Sequence, residues 1–245
     1  TQFEFGTLAA LWLFARAVPD AVILEVGLGG RLDAVNIVDA DVAVVTTVDL
    51  DHQDYLGPTR ESIGREKAGI FRPGRPAVCG DPAPPATLVE HAQAVGAELL
   101  VLGRDYGFDA DARQWRYHGP GGPRYGLPHP ALRGAYQLAN AATVLATLGL
   151  LADRLPLSAA ALRDGLLGVE LAGRFQVLPG RPTIVLDVGH NPQAARSLAA
   201  ALGTMGFHPR TIAVFGMLAD KDIAAVAGAI KGRIDGWHVV PLPGP

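Results

Sequence analysis

The chain has 245 residues, of which 49% are hydrophobic and 18% are charged, and this is enough apolar material for one or two domains. A net charge of -3 excludes the basic surface typical of nucleic-acid binding, and the single cysteine, Cys79, excludes an intrachain disulfide and favours a reducing compartment. The longest apolar segment, residues 7–18, contains Arg16 and is too short to span a bilayer, so we expect a cytoplasmic protein without a membrane partner.

In the first part of the chain, apolar β-branched runs alternate with helical patterns, which is typical of an α/β fold. A proline-rich connection at residues 81–85 interrupts this alternation. The predicted elements are, in order, a buried amphipathic helix at 7–18, strands at 22–24 and 42–47, helices at 61–70 and 88–95, and a strand at 99–102.

The composition changes at residues 105–130, which are rich in glycine, proline and aromatics. Runs near Phe108 and at 115–117 predict short antiparallel strands there. A domain boundary is expected near residues 173–182, where turn residues separate two helices from a new strand–helix series. The elements predicted around this boundary are helices at 136–150 and 158–167, a strand at 184–186, a helix at 192–202, a strand at 212–215, a helix at 220–230 and a strand at 238–240.

The stretch EVGLGGRLDAVN, residues 25–36, places a carboxylate at the end of a predicted strand, directly before a glycine-rich turn. Gly27, Gly29 and Gly30 permit positive φ and a close approach of a ligand to the backbone. The spacing begins like a dinucleotide fingerprint, but Leu32 stands at the third glycine position, so NAD binding is only an alternative. The glycines alone are also compatible with an ordinary turn.

Three side chains near the ends of neighbouring predicted elements suggest a metal site. Glu25 ends the first strand, His52 follows the second strand, and Lys67 lies on the helix after it. Carboxylate and imidazole groups are metal ligands. Each residue also has a structural interpretation, because a lone histidine is often a surface residue and a Glu–Lys pair is often a solvated helix face.

A second candidate site is DVGHNP, residues 187–192, between a predicted strand and a predicted helix. Asn191 suits the N-cap position of that helix, and Pro192 suits its first turn. Because a helix N-terminus also attracts phosphate, a structural role and a nucleotide-binding role are compatible here.

Several segments resemble the folylpolyglutamate synthase family, relatives of the Mur ligases, and especially its bacterial bifunctional dihydrofolate synthase branch. They span almost the whole chain in the order that the family has. The matching segments are FEFGTLAALWLF (3–14), ILEVGLGGRLDAVNIVDADVAVVTT (23–47), LDH (50–52), ESIGREKAGIFR (61–72), NAATVLA (140–146), GRFQ (173–176), DVGHNP (187–192) and GMLADKDIA (216–224). Two departures are small: Val35 stands where the family usually has threonine, and Gly189 where it usually has alanine.

The resemblance implies an α/β fold with two domains. Residues 1–176 would form a Mur-ligase-like central domain for ATP, magnesium and folate, incomplete at its N-terminus, and residues 177–245 part of a Rossmann-like C-terminal domain. The implied activity is ATP-dependent ligation of L-glutamate to dihydropteroate or a reduced folate through an amide bond. ATP and one or two magnesium ions would be the cofactors, and a monomer is expected.

The resemblance also implies roles for single residues. Glu25 and His52 match magnesium ligands, and Lys67 matches a lysine carbamylated by carbon dioxide, which would be both a metal ligand and a catalytic residue. Phe3 and Asp33 lie where the pterin substrate is held. The positions that match ATP-contacting residues are Asn140, Arg174, Asp187 and His190, of which His190 is also expected to be catalytic.

ATP ligases of this type carry a glycine-rich P-loop ending in Gly-Lys-Ser or Gly-Lys-Thr, and no segment of the sequence matches it. The chain also opens on Thr1. We therefore expect a fragment that begins after the P-loop region, stops within the last domain and is inactive alone. A non-catalytic nucleotide-binding module and a Rossmann-type dinucleotide-binding protein are the alternatives.

Overall fold

The computed structural model describes residues 1–242, and the chain divides into two compact units, Thr1–Tyr106 and Gly107–Pro245. Helices and strands alternate in both units, which confirms the α/β class. Within residues 1–242, no helix combines the length and the apolar character needed to cross a membrane.

Three parallel strands form the sheet of the first unit. Its elements are α1 (Gln2–Ala17), a 3₁₀ helix (Ala34–Ile37), β1 (Ala43–Val45), α2 (Gln53–Leu56), α3 (Arg60–Ala68), β2 (Pro76–Cys79), α4 (Ala86–Val95) and β3 (Glu98–Val101). The strand order is β1-β2-β3, with Ala43 beside Ala77 and Ala77 beside Leu99. Because the strands are parallel, the segments that follow them all leave the same edge of the sheet.

The core of the first unit joins this sheet to α3 and α4. Ile63 of α3 and Leu88 of α4 are buried in one cluster with Val45, Ala77 and Val101 of the three strands. Burial of apolar surface of this kind is the main stabilising contribution in a domain of this size. It fixes α3 against the sheet and thereby fixes the position of the residues in its last turn.

Local sequence sets the two ends of α3. The Thr59 hydroxyl accepts a hydrogen bond from the Ser62 amide (3.1 Å), and the Ser62 hydroxyl accepts one from the Thr59 amide (3.3 Å), which is a capping box. The helix ends at Ala68, before Gly69. Lys67 therefore lies in the last helical turn, where a positive charge is favourable to the helix dipole.

Two predictions for the first unit are wrong. Residues 22–24 form no strand, because within residues 1–242 no ladder includes them, and Ile23 is 94% exposed. An apolar run becomes a strand only where a neighbouring backbone satisfies its polar groups. The helix predicted at 7–18 exists as part of α1, but it is not buried, since Phe5 and Trp12 face solvent. Apolar periodicity reveals the face that could be covered and not whether a second element covers it.

The second unit combines an antiparallel sheet, an antiparallel strand pair and a parallel strand pair. Its elements are β4 (Gly107–Ala110), β5 (Trp115–His118), β6 (Arg124–Leu127), α5 (Tyr136–Leu150), α6 (Ala159–Gly168), β7 (Gln176–Leu178), β8 (Ile184–Leu186), α7 (Pro192–Gly203), β9 (Ile212–Phe215), α8 (Ile223–Ile230), a 3₁₀ helix (Lys231–Arg233) and β10 (Gly236–Val239). Strands β4, β5 and β6 form one antiparallel sheet, β7 and β8 an antiparallel pair, and β9 and β10 a parallel pair.

Buried and exposed side chains alternate along strand β5 of the second unit. Trp115 and Tyr117 of β5 are buried, whereas the residues between and after them are exposed. Near the C-terminus, Val226 of α8 lies in a cluster with Phe215 and Trp237, whose rings meet edge to face at 5.5 Å. This cluster fixes α7 and α8 against the strands β9 and β10.

Most predictions for the second unit are confirmed. The helix at 136–150 and the strand at 212–215 coincide with α5 and β9. The helix predicted at 220–230 begins only at Ile223, because the Asp222 side chain caps it by accepting the Ala225 amide at 2.9 Å. Strand β7 has no counterpart among the predicted elements, since a three-residue strand carries no clear periodicity.

Candidate functional site

The glycine turn of the first unit requires its glycines. Gly29 and Gly30 have φ values of 69° and 157°. A Cβ atom on Gly30 would lie 3.0 Å from the carbonyl oxygen of Glu66 and 3.1 Å from that of Lys67. The turn thus lies directly against the backbone of the last turn of α3. No helix follows it, because Asp33 begins a short 3₁₀ helix instead, and this weakens the dinucleotide interpretation.

Hydrogen bonds hold this turn on the C-terminal end of α3. The Arg31 amide donates to the Glu66 carbonyl at 2.9 Å, and the Arg31 guanidinium pairs with the Glu66 carboxylate at 3.0 Å. The Asn36 side-chain amide donates to the carbonyls of Arg31 and Gly69, both at 3.1 Å. The structure therefore brings the segment that begins at Glu25 close to the helix end that carries Lys67.

The two residues predicted to hold the pterin meet around Gly27. One carboxylate oxygen of Asp33 accepts the amides of Gly27 (2.9 Å) and Leu28 (3.1 Å), and the other accepts the Val35 amide (3.0 Å). The Phe3 ring lies 3.0 Å from the place of a Cβ atom on Gly27. Asp33 thus shapes the turn, and Phe3 is a half-exposed aromatic face beside it.

His52 lies in the segment that connects β1 to α2. Its φ is 48°, a left-handed conformation that is uncommon for a residue with a side chain. The Asp51 carboxylate accepts the His52 amide at 2.8 Å, and the His52 Nε2 atom lies 3.9 Å from the same carboxylate. At the far end of α2, Leu56 packs on the glycine turn, 2.9 Å from the place of a Cβ atom on Gly29. The segment is therefore anchored beside the turn.

Lys67 is half-buried, and its surroundings act on its charge. Burial lowers the pKa of its ammonium group, and the negative charge of Asp51 partly offsets this effect. Asp51 precedes His52 in the chain, so the charge that acts on Lys67 comes from the His52 segment. A lowered pKa makes the neutral amine more accessible, and the neutral amine is the form that reacts with carbon dioxide.

The residues predicted to hold a metal are Glu25, His52 and Lys67. Within residues 1–242, no group of three or more histidine, cysteine, aspartate and glutamate side chains is arranged to hold a metal ion. Glu25 and His52 could provide a carboxylate and an imidazole ligand, and a carbamate on Lys67 would add an oxygen ligand. The chemistry of these donors is compatible with a hard cation, and the magnesium site itself stays a prediction.

In the second unit, two loops with predicted ATP-contacting residues are bonded to each other. The Asp187 carboxylate accepts the Phe175 amide with one oxygen (2.9 Å) and the Gly189 amide with the other (2.7 Å). The Val188 amide donates to the Gly173 carbonyl at 2.9 Å. Because Arg174 lies between Gly173 and Phe175, these bonds hold it next to the loop that carries Asp187.

The start of α5 belongs to the same region, and its Tyr136 was absent from the predicted set. Burial and the negative charge of Asp187 raise the pKa of Tyr136, whereas Arg174 opposes this effect. Tyr136 therefore interacts with both loops. Asn140 is one helical turn further along the same face of α5, and its side chain donates to Gln137 at 3.1 Å. The spacing of four residues from Asn140 is the signal that could have identified Tyr136.

His190 lies at the N-terminus of α7. Its Nδ1 atom is 3.1 Å from the Val188 carbonyl oxygen, and its side chain is exposed. Asn191 caps the helix by accepting the Ala194 amide at 2.9 Å, and Pro192 is the first helical residue, as predicted. The structure thus brings all four predicted ATP-contacting positions onto neighbouring segments: the start of α5, the loop before β7 and the loop before α7.

Comparisons with known proteins match the whole chain. The family profile "Mur ligase, glutamate ligase domain" matches residues 173–245. The dihydrofolate synthase/folylpolyglutamate synthase of Escherichia coli (strain K12) is 49% identical over 245 residues, which cover 100% of this chain and 57% of that protein.

Solved structures agree with these matches. The structure of E. coli FolC in complex with DHPP and ADP is 48% identical, with a TM-score of 0.92 and coverage of 100% of this chain and 58% of that one. The bifunctional folylpolyglutamate synthase/dihydrofolate synthase of Yersinia pestis, complexed with AMPPNP and Mn, is 47% identical, with a TM-score of 0.89 and the same coverage. The chain thus spans less than two thirds of the proteins that it matches, and over that span its sequence and fold are similar to those of dihydrofolate synthase/folylpolyglutamate synthases, with a Mur ligase glutamate ligase domain matched at residues 173–245.

Proposed function

We propose that the protein is an ATP-dependent ligase that joins L-glutamate to dihydropteroate, to reduced folates or to both, in folate biosynthesis and polyglutamylation. The observation that carries this proposal is the match of the whole chain, at 49% identity, to a dihydrofolate synthase/folylpolyglutamate synthase. The grouping of the predicted residues on adjoining segments within each unit supports it. Neither a non-catalytic module nor a dinucleotide-binding protein has comparable support.

The reaction requires activation, because an unactivated carboxylate is a poor acyl donor to an amine. A carboxylate oxygen of the pterin substrate attacks the γ-phosphorus of ATP, and ADP leaves. The glutamate amine then attacks the acyl phosphate, and a tetrahedral intermediate collapses with release of inorganic phosphate. Catalysis of the first step is mainly a task of positioning and of charge stabilisation.

In the first unit, we assign Glu25, His52 and a carbamylated Lys67 as the residues that hold magnesium. The metal, when bound, would offset the charge on the transferring phosphoryl group. Burial of Lys67, which lowers the pKa of its amine, supports the carbamate. In the complete enzyme, Lys67→Ala should lower turnover, and added acetate should restore part of it. Rescue by methylamine and not by acetate would show that Lys67 acts as an ammonium group.

Phe3 and Asp33 form the proposed pterin-holding region at the glycine turn. The half-exposed ring of Phe3 offers a face for stacking a flat heterocycle, and it packs beside the backbone that Asp33 organises. Both residues would act in binding, with the proposed metal residues on the segments that adjoin the same turn.

In the second unit, we assign Asn140, Arg174, Asp187 and His190 to ATP. Arg174 would contact phosphate oxygens, and His190 would act near the reacting groups from the N-terminus of α7, where phosphate is favoured. Asp187 orients the loop of Arg174 through the Phe175 amide, so its role combines positioning with nucleotide contact.

We further propose that residues 1–176 are the central ligase domain and residues 177–245 the C-terminal domain. The family profile that begins at residue 173 supports this boundary. A cytoplasmic monomer with small-molecule partners, and without nucleic acid or membrane, completes the proposal. The buried Cys79 thiol, whose pKa is raised mainly by burial, suits a reducing compartment.

Complementation would test the proposed function. The experiment uses an exchange chimera, defined as the E. coli relative in which the matched segment is replaced by this chain. We expect the chimera to restore growth of an E. coli strain that lacks its own dihydrofolate synthase/folylpolyglutamate synthase, and the Lys67→Ala chimera to fail. Absence of growth with a stably expressed chimera would contradict the proposal.

A further inference from the structure

Asp81 is a buried carboxylate outside the predicted site. Asp81 is 3% exposed. It follows β2, at the same edge of the sheet from which the chain leaves β1. It accepts three hydrogen bonds, from the Val48 amide (3.0 Å), the Ala83 amide (2.9 Å) and the Arg60 guanidinium (2.8 Å). A buried charge requires such partners, because removing it from water is costly.

Arg60 completes the arrangement around Val48. Its Nε atom donates to the Val48 carbonyl at 2.8 Å, and its Nη2 atom donates to the Ala83 carbonyl at 3.0 Å as well as to Asp81. The two polar groups of the Val48 backbone are therefore both held by this pair, the amide by Asp81 and the carbonyl by Arg60. The planar fork of arginine makes this double contact possible, and the single ammonium of lysine does not reproduce it.

Val48 lies in the first unit between the end of β1 and His52. It is 1% exposed, it lies shortly after β1, and only three residues separate it from His52. A chain advances at most about 3.5 Å per residue, so an anchor at Val48 limits where Asp51 and His52 can lie. At the other end of the segment, Leu56 packs against the glycine turn.

We propose that Asp81 and Arg60 are positioning residues for the proposed metal site. They fix the exit of the chain from β1, so that His52 reaches its left-handed conformation. Neither residue touches a reacting group, and both act through Val48. This inference rests on the proposed function for its metal, whereas the fixation of the segment does not depend on the metal.

The chain provides a matched control at the neighbouring strand. The Asp105 carboxylate accepts the Val101 amide (2.7 Å) and the Arg104 Nε–H (2.9 Å), which repeats the chemistry of Asp81 and Arg60 at the end of β3. The segment that leaves β3 after Val101 carries no residue of the proposed metal site. Asp105→Asn therefore removes a similar charged pair without releasing the His52 segment.

The test compares Asp81→Asn, Arg60→Lys and Asp105→Asn in this chain by two measurements. The first is hydrogen exchange at the amides of residues 55–57, which donate to the carbonyls of His52 and Gln53 at 3.0 Å. The second is Mn²⁺ affinity, measured from the electron paramagnetic resonance signal of free Mn²⁺. We expect Asp81→Asn and Arg60→Lys to accelerate this exchange and to weaken Mn²⁺ binding about 10-fold, by analogy with losses of supporting groups at metal sites.

The outcomes distinguish the positioning role of Asp81 and Arg60 from the proposed metal site. Exchange at residues 55–57 that is equal in Asp81→Asn and Asp105→Asn would overturn the positioning role, as would unchanged Mn²⁺ affinity in Arg60→Lys. Wild-type chain that binds no Mn²⁺, together with faster exchange in Asp81→Asn, would support the fixation of the segment and overturn the metal site of the proposed function. If Asp81→Asn does not fold, the milder Arg60→Lys decides the same questions, because it keeps the positive charge.

Discussion

The burial of Lys67 affects the charge of its amine. Burial lowers the pKa of its amine, although Asp51 acts in the opposite direction. Burial of the ammonium lowers the free energy of unfolding. This destabilisation is fully present below the folded-state pKa of Lys67 and is lost as the pH rises towards the ordinary lysine pKa. Carbamylation would replace that positive charge by a negative one next to a cation.

A carbamate on Lys67 can be detected directly. We expect wild-type chain equilibrated with ¹³C-labelled carbon dioxide to show a carbamate resonance that is absent in Lys67→Arg and retained in the control Lys231→Arg. At constant dissolved carbon dioxide the signal should grow as the pH rises, because only the neutral amine reacts. A carbamate signal that persists in Lys67→Arg would refute the assignment.

Glu25 is the proposed metal ligand whose charge can be removed with little change of shape. We expect Glu25→Gln in the exchange chimera to lower turnover about 10-fold to 100-fold at limiting magnesium, by analogy with losses at other metal sites. Saturating magnesium should recover part of this loss. The exposed Glu98 of β3 provides the control, and Glu98→Gln should behave as wild type. Equal magnesium dependence in the two variants would show that Glu25 is not a ligand.

Among the elements, the contact between the glycine turn and α3 organises the candidate site of the first unit. Gly69 ends α3 with φ of -60°, so its conformation does not require glycine. Its surroundings do, because a Cβ atom there would lie 2.7 Å from the Cα atom of Arg31. Close approach of two backbones is therefore the reason for glycine at this position.

Substitution of Gly69 tests this contact. We expect Gly69→Ala to lower the free energy of unfolding by about 1–3 kcal/mol, the usual cost of overpacking, as measured by urea denaturation. The control is Gly6→Ala in α1, which has no atom within 4 Å of its Cβ position. This control should be stabilised by up to about 1 kcal/mol, because alanine is the better helix former. A Gly69→Ala variant as stable as wild type would mean that the turn does not lie against α3.

The corresponding element contact in the second unit is the bond between its two loops. Asp187→Asn leaves one acceptor oxygen for the two amides of Phe175 and Gly189. Since Phe175 is 3% exposed, its amide would lose a partner in a buried place, at a cost of about 1–3 kcal/mol in the free energy of unfolding. Urea denaturation of Asp187→Asn and of the exposed control Asp220→Asn measures this difference, and equal stabilities would contradict the proposed loop contact.

The elements also show what the sequence can predict. The helix Tyr136–Leu150 and the strand Ile212–Phe215 are confirmed because each has a long or clearly bounded apolar pattern. The apolar run at residues 22–24 carries the same kind of pattern and forms no strand, because a strand depends on a partner that local sequence does not reveal. The exposed α1 illustrates the same limit for a helix.

In the molecule as a whole, candidate site residues could be proposed from the sequence where it matches a family motif, as at Glu25 and Lys67, and their roles stay predictions. Asp81 and Arg60 could not, since their bonds to Val48 join positions 33 and 12 residues apart. The spacing of Tyr136 from Asn140 places the two on one helix face, but its interactions with Asp187 and Arg174 arise only in the folded unit. Sequence patterns therefore suggest candidate reacting groups more readily than the residues that would position them.

The function that we propose for this chain is ATP-dependent amide formation through an acyl phosphate. The most direct measurement uses dihydropteroate with an ¹⁸O-labelled carboxylate, the exchange chimera, magnesium-ATP and L-glutamate. We expect mass spectrometry to find one ¹⁸O atom in inorganic phosphate for each dihydrofolate formed, because the carboxylate oxygen leaves with the phosphate. Dihydrofolate formed with unlabelled phosphate, or a folded chimera that forms no dihydrofolate, would contradict it.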